Sequence, residues 1–156
     1  MMSYKVYYIN LDKSTERRKF IENQFKEHGV PITRFPAIYG KHLPSNFLKK
    51  AKKQFNILSH FPNLNDGEIG LTKTYFELWK VIANQEEDFS IVLEDDALLN
   101  KSFFNDLPQI LNELTAHDFA DISGRKGFLK IDEKEFSSLY TVPSLQTTAQ
   151  IIGKQA

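Results

Sequence analysis

Short β-rich runs alternate along this chain with longer amphipathic stretches, and that alternation constrains the fold more than any other feature. Tyr4 to Ile9 (YKVYYI) is apolar or aromatic almost throughout, the pattern of a strand covered on both faces. Ser14 is placed to cap a helix running to about His28, with Ile21 and Phe25 four apart on one side and Gly29 as a left-handed stop. Ile32 to Ile38 reads as a second strand. The β-α-β unit that results predicts a parallel, right-handed pair. Between Pro44 and Pro62 the spacing of Phe47, Leu48, Ala51 and Phe55 suggests a short helix, and residues 63–67 form a turn cluster. Asp66 is then expected to cap a helix from about Gly67 to Asn84, on which Ile69, Thr72, Phe76, Trp79 and Ala83 fall three to four apart.

Ser90 to Leu93 is a strand that runs straight into Glu94-Asp95-Asp96. A helix over Phe103 to Leu114 follows, with Pro108 expected to kink it or displace its start. Short strands are expected at Asp118 to Ser123, Ser138 to Val142 and Thr148 to Ile152, with a turn at Gly124 to Gly127. The expected class is α/β: a mostly parallel, Rossmann-type sheet flanked by helices, in a single domain over residues 1–156.

Composition narrows the function. Lys plus Arg equals Asp plus Glu at 20 each, so the basic excess that supplies most nucleic-acid affinity is missing and no nucleic-acid partner is expected. One local basic stretch exists, Lys49, Lys50, Lys52 and Lys53, which leaves peripheral contact with a membrane surface open. Cysteine is absent, which excludes a disulfide scaffold and a thiolate zinc site. The first twenty residues hold no apolar stretch of the signal-peptide kind, and no apolar run approaches the roughly 20 residues that span a bilayer. A soluble, cytoplasmic protein is the expectation, at the inner face of the membrane if the lysine patch binds there.

Three consecutive carboxylates at the end of an apolar strand call for an explanation. If the strand's alternation continues, Glu94 and Asp96 face one way and Asp95 the other. Two like charges on one side are relieved by a divalent cation, and Mg2+ or Mn2+ takes hard oxygen ligands from one or two carboxylates together with water and substrate phosphates. The carboxyl ends of strands are also where ligands bind in open α/β sheets. A solvated acidic turn is the plain alternative. Lys13, Arg17, Arg18 and Lys19 cluster at the first βα junction, where cations oppose the helix dipole and so hint at an anionic partner such as a diphosphate. Exposed pairing with Glu16 and Glu22 explains them equally well. His28, His42, His60 and His117 show no metal-ligand spacing, and neither a P-loop nor a G-x-S-x-G elbow occurs.

In order, the segments YYINLDKSTERRKFIENQF, FPAIYGK, NDGEIGLTKTYFELWKVI, FSIVLEDDALL and SLQTTAQIIGKQA resemble glycosyltransferase family 25. These are the bacterial lipooligosaccharide glycosyltransferases, with relatives of collagen galactosyltransferases among them. Five motifs in order are far more specific than any one alone. The resemblance implies a GT-A-type fold, a UDP-sugar donor (UDP-galactose first), a divalent metal, Mn2+ or Mg2+, and a lipooligosaccharide or related glycan or glycolipid as acceptor. It places Asn10 and Leu11 by the nucleotide, Arg17 and Arg18 near the donor, and Tyr39 and Gly40 at the base or ribose pocket. Glu94, Asp95 and Asp96 become the acidic motif, with Glu94 and Asp96 toward the metal, Asp96 first, and Asp95 toward the donor. It assigns no catalytic base.

Two departures qualify the match. Where the family's Gly-Glu-Ile-Gly helix continues with a small residue and then Ser-His, this chain has Leu71, Thr74 and Tyr75. The family pattern also continues beyond the position of Ala156 with segments that help complete the acceptor side. A fragment of this kind is expected to expose core surface that favours a homo-oligomer. The competing reading is a non-catalytic nucleotide-sugar-binding or interaction module. A Mg2+-dependent phosphatase fits less well, because Asp96-Ala97-Leu98 lacks the Asp-x-Asp-x-Thr setting of an aspartyl nucleophile.

Overall fold

The computed structural model describes residues 2–58, 64–122 and 148–156. Its elements are β1 (Tyr4–Asn10), α1 (Thr15–Glu27), β2 (Thr33–Pro36), a 3-10 turn (Gly40–His42), α2 (Ser45–Leu58), α3 (Asp66–Ala83), β3 (Phe89–Glu94), α4 (Lys101–Glu113), β4 (Phe119–Asp121) and β5 (Ala149–Gly153). The expected strand at Ser138 to Val142 and the turn at Gly124 to Gly127 lie outside the described residues.

The five strands form one sheet in the order β2-β1-β3-β5-β4. β1 pairs parallel with both β2 and β3, while β5 lies antiparallel between β3 and β4. Four strands therefore point one way and β5 alone runs against them, a mixed α/β sheet of the GT-A-like Rossmann type. Side-chain alternation sorts the core. Val6, Tyr8, Ile91, Leu93 and Ile151 face α1 and α4, where Ile21, Phe25, Leu107 and Leu111 meet them. Tyr7, Ile9, Val92 and Ile152 face α3 through Tyr75, Leu78 and Ile82. Each such side chain, fully buried, contributes about 1.5–3 kcal/mol. Phe25 packs edge-on against Phe103 and Phe104 at 6.2 and 5.4 Å.

Helix ends account for most local differences from the sequence reading. Gly29, at φ 64°, closes α1 as expected, with Val30 N–H donating to Phe25 O and Gly29 N–H to Lys26 O. Ser14 sits at the N-cap of α1, but its side chain makes no cap bond. Asn65, not Asp66, caps α3: its side chain accepts from Glu68 N–H at 3.0 Å, and Glu68 returns the bond to Asn65 N–H at 2.7 Å. The expected inward face of α3 is displaced by one residue, a rotation of about 100°. Tyr75, Leu78 and Ile82 are buried, whereas Phe76, Trp79 and Ala83 are exposed and Thr72 is half-buried. The helix carries two apolar stripes, and the one flanked by small Gly70 and Thr74 lies closer to the sheet. On α2, Phe47 is exposed while Leu48 and Ala51 are half-buried. Pro108 lies inside α4, whose start is set by Asn100 accepting from Phe103 N–H at 2.9 Å.

Candidate functional site

The chain leaves β1 through α1 on one face to reach β2, then returns through α3 on the other face to β3. The two connections diverge at the carboxyl ends of β1 and β3, so a crevice opens there, the place where open α/β sheets bind ligands. Polar side chains collect at that point.

Asn10, the last residue of β1, is 1% exposed. Its Nδ2 donates to Asp95 Oδ2 at 2.7 Å and to Ser14 O at 3.0 Å, and its Oδ1 accepts from Arg34 Nε at 3.0 Å. The partners fix the amide's orientation, because a carboxylate and a carbonyl only accept while a guanidinium only donates. Asp95 itself is 8% exposed. A carboxylate that buried needs hydrogen-bond donors, and it has them in Asn10 and in Arg17 Nη1 at 3.2 Å. The same Nη1 lies 3.1 Å from Asp96 Oδ2, on a side chain that is half exposed.

This geometry corrects the alternation argument. β3 ends at Glu94, and Asp95 and Asp96 form a turn closed by Ala97 N–H on Glu94 O. Off the strand, the period of two no longer applies, so Asp95 and Asp96 converge on one guanidinium instead of facing apart. Glu94 is half-buried at the last strand position, and its N–H donates to Thr148 O. Gln24 of α1 steadies the segment beyond the turn, donating to Ala97 O at 3.0 Å and accepting from Leu99 N–H at 2.9 Å. Among the described residues no three His, Asp or Glu side chains are grouped to hold a metal ion.

Arg17 therefore reaches the acidic turn, whereas its neighbour Arg18 turns to Glu22, Nε to Oε1 at 3.0 Å. Glu22 also accepts the hydroxyl of Tyr8. Burial pushes the Tyr8 hydroxyl up to about 12, with the bond to Glu22 adding to it. The Tyr8 hydroxyl in turn holds Glu22 below the usual carboxylate range. Leu11 is half-buried, and its carbonyl accepts from Ser14 N–H at the start of α1. Lys13, in the same loop, stands over the Tyr39 ring at 3.9 Å from its centre and lowers the tyrosine's pKa through a hydrogen bond. The loops after β1 and β2 thus meet at Lys13 and Tyr39.

Gly40 is buried beside them. A Cβ there would lie 1.6 Å from Asp66 O, and one on Gly70 would lie 2.6 Å from Ile38 O and 2.7 Å from Gly40 N. The loop after β2 therefore rests directly on the first turns of α3. Thr74, fully buried, locks the contact: its Oγ1 accepts from Ile38 N–H at 2.9 Å and donates to Gly70 O at 2.8 Å. Tyr75 is a core residue at 4% exposure. Sequence reasoning missed Arg34, and it named Thr74 only as a departure from the family pattern. Arg34 could have been noticed as a charged residue inside a strand otherwise suited to burial.

An α/β sheet of this topology, with carboxylates and an arginine at its switch point, defines a GT-A-like domain. The chain belongs to glycosyltransferase family 25 (LPS biosynthesis protein), whose model matches residues 3–152. It is similar to a glycosyltransferase 25 family member of Aedes aegypti, 29% identical over 135 residues, covering 83% of this chain and 22% of that protein. A procollagen galactosyltransferase 1-B of Xenopus laevis is 29% identical over 114 residues, 70% of this chain and 19% of that one. The lacto-N-neotetraose biosynthesis glycosyltransferase LgtB of Neisseria meningitidis serogroup B is 32% identical over 94 residues, 60% of this chain and 33% of that one. The chain thus spans a fifth to a third of the length of these curated relatives.

Proposed function

We propose that this chain supplies the donor-binding part of a glycosyltransferase that moves a sugar, galactose in the first instance, from a UDP-sugar to a glycan or glycolipid acceptor. One observation carries the reading: Asp95 and Asp96 converge with Asn10 and Arg17 at the β1/β3 switch point. The name of the Xenopus relative supports galactose, and that of the Neisseria relative supports a glycan acceptor.

The donor set at the turn suits Mn2+ or Mg2+, which favour carboxylate oxygens. Half-exposed Asp96 would hold the ion, and water and phosphate oxygens would supply the remaining ligands, since no three carboxylates are grouped there among the described residues. Such an ion stabilises charge developing on the departing diphosphate. Arg17, 59% exposed and paired through Nη1 alone, would offer the rest of its guanidinium to the same phosphates. Tyr39, with Lys13 across its ring, offers a face for the base or ribose, and Asn10 holds Asp95 in place. Arg18, engaged with Glu22, contributes to the donor through its charge alone.

UDP titration by calorimetry, with and without Mn2+, on this chain and on Asp96→Ala tests the proposal. Metal-dependent binding that disappears in the variant is the expected result. No binding to the unaltered chain under either condition would sink it. The second reading is donor binding without turnover, and release of UDP from UDP-galactose separates the two. Among the described residues no helix is long and apolar enough to cross a membrane. Exposed Lys49, Lys50 and Lys53 beside exposed Phe47 on α2 suit contact with anionic headgroups at the inner membrane face. Equal co-sedimentation with anionic and neutral vesicles would refute that contact.

A further inference from the structure

Arg34 is the one charged residue of β2, and its side chain is 22% exposed. It does not reach the acidic turn itself. Instead it crosses the end of β1, where Nε donates to Asn10 Oδ1 at 3.0 Å and Nη2 donates to Asn10 O at 3.0 Å and to Asp12 Oδ1 at 2.5 Å. Asp12 is 87% exposed, so that ion pair is screened and contributes little. The bonds to Asn10 are different, because Asn10 is buried and its remaining polar atom, Nδ2, is spent on Ser14 O and Asp95 Oδ2.

A chain of hydrogen bonds, half-buried at Arg34 and buried at Asn10 and Asp95, therefore runs from the guanidinium through the Asn10 amide to the carboxylate. Each link has one permitted sense. Arg34 can only donate, so Asn10 Oδ1 must face it, which turns Nδ2 toward Asp95. Bonds in such a chain polarise one another in a low-dielectric setting. With Arg34 removed, Oδ1 loses its donor and the side chain is held from one side only.

Resting on the donor reading above, we infer that Arg34 is a positioning residue for the nucleotide-sugar site: acting through Asn10, it fixes the Asp95 carboxylate against which Arg17 and the diphosphate-bound cation are arranged. Partners that orient a ligating group typically change affinity by about 10–100-fold when lost. Arg34→Met is expected to weaken UDP affinity in the presence of Mn2+ by about that factor. Arg34→Lys keeps the charge but not the fork, and it recovers only part of the loss.

The test is a cycle of UDP calorimetry with Mn2+ on the unaltered chain, Arg34→Met, Asn10→Ala and the double variant, with thermal unfolding of each. Expected is non-additivity: once Asn10 is gone, Arg34→Met weakens binding by less than about twofold. Asp12→Asn, which removes only the exposed pair, leaves affinity unchanged. Should Arg34→Met fail to fold, Arg34→Lys carries the same cycle. A folded Arg34 variant with unaltered UDP affinity, or losses that simply add, overturns the inference while leaving the donor reading intact. Absence of UDP binding by the unaltered chain overturns both.

Discussion

At the carboxyl ends of β1 and β3 the chain is held by charge and hydrogen bonds, with Asn10, Arg17, Arg34 and Asp95 in one network. At the end of β2, the loop through Gly40 is held by shape, pressed on α3 so closely that no side chain fits between. This second corner admits almost no substitution, but it presents little chemistry of its own. The loops of the two corners meet at Lys13 and Tyr39, so the shaped corner sets the position of the ring that Lys13 covers. Rigidity and charge are thus divided between neighbouring loops, an arrangement that would keep the proposed donor site on firm supports.

The largest expected effect breaks the shaped corner. In Gly40→Ala the new Cβ would overlap the Asp66 carbonyl at 1.6 Å, and its obstacle is backbone, not a flexible side-chain end. Loss of about 3 kcal/mol or more is expected, read as a fall in the thermal midpoint. Gly70→Ala meets Ile38 O at 2.6 Å and should cost about 2 kcal/mol. If either variant melts with the unaltered chain, the division between shape and charge is wrong.

Next comes the charged corner. Asp95→Ala leaves the buried Nδ2 of Asn10 without one acceptor, so about 1–3 kcal/mol of stability should go. UDP binding should fall far more than stability does. Arg17→Ala sharpens the contrast further. Its pair with Asp96 is solvated, but Asp95 is buried and would lose one of its two donors, so stability should fall by about 1 kcal/mol, yet donor affinity should drop about tenfold or more. A variant that loses stability and keeps affinity would make Arg17 a structural counter-ion only.

Much of the first corner was legible in the sequence. The apolar run into Glu94-Asp95-Asp96 marked a strand end, and the basic cluster marked the loop that faces it. What pairing would form was not legible. Alternation predicts the facing of residues only while the chain remains a strand, and it stops at Glu94. Arg34 escaped notice because its partner is the amide of Asn10, 24 residues away, and no local spacing encodes that contact. On α3 two apolar stripes competed, and periodicity alone cannot rank them. Gly70 and Thr74 decided the matter, because small residues let the helix approach the loop. The place of β5, antiparallel between β3 and β4, is set by pairings between segments far apart in sequence.

The smallest expected effect concerns pH, and it should appear only at the charged side of the comparison. Tyr8 lies two residues before Asn10 on the same face of β1, and its hydroxyl donates to Glu22. In the folded chain the Tyr8 pKa is raised from 10.0 to about 12. Its contribution is therefore fully present below about pH 10 and is lost as pH rises through about 12. Glu22 is shifted the other way, below its ordinary 4.5, chiefly by the same hydroxyl. That contribution is present above pH 4.5 and is lost as pH falls through the lower folded value. Tyr8→Phe should make both limbs of a plot of thermal midpoint against pH shallower. The acid limb changes only in part, because Asp88 and Asp118 are held below their ordinary range by bonds of their own. Neither Gly40 nor Gly70 titrates, so Gly70→Ala should lower the whole curve without altering its limbs. Limbs unchanged in Tyr8→Phe would mean that the pH response comes from elsewhere, and that the charged corner does not extend down β1 to Tyr8.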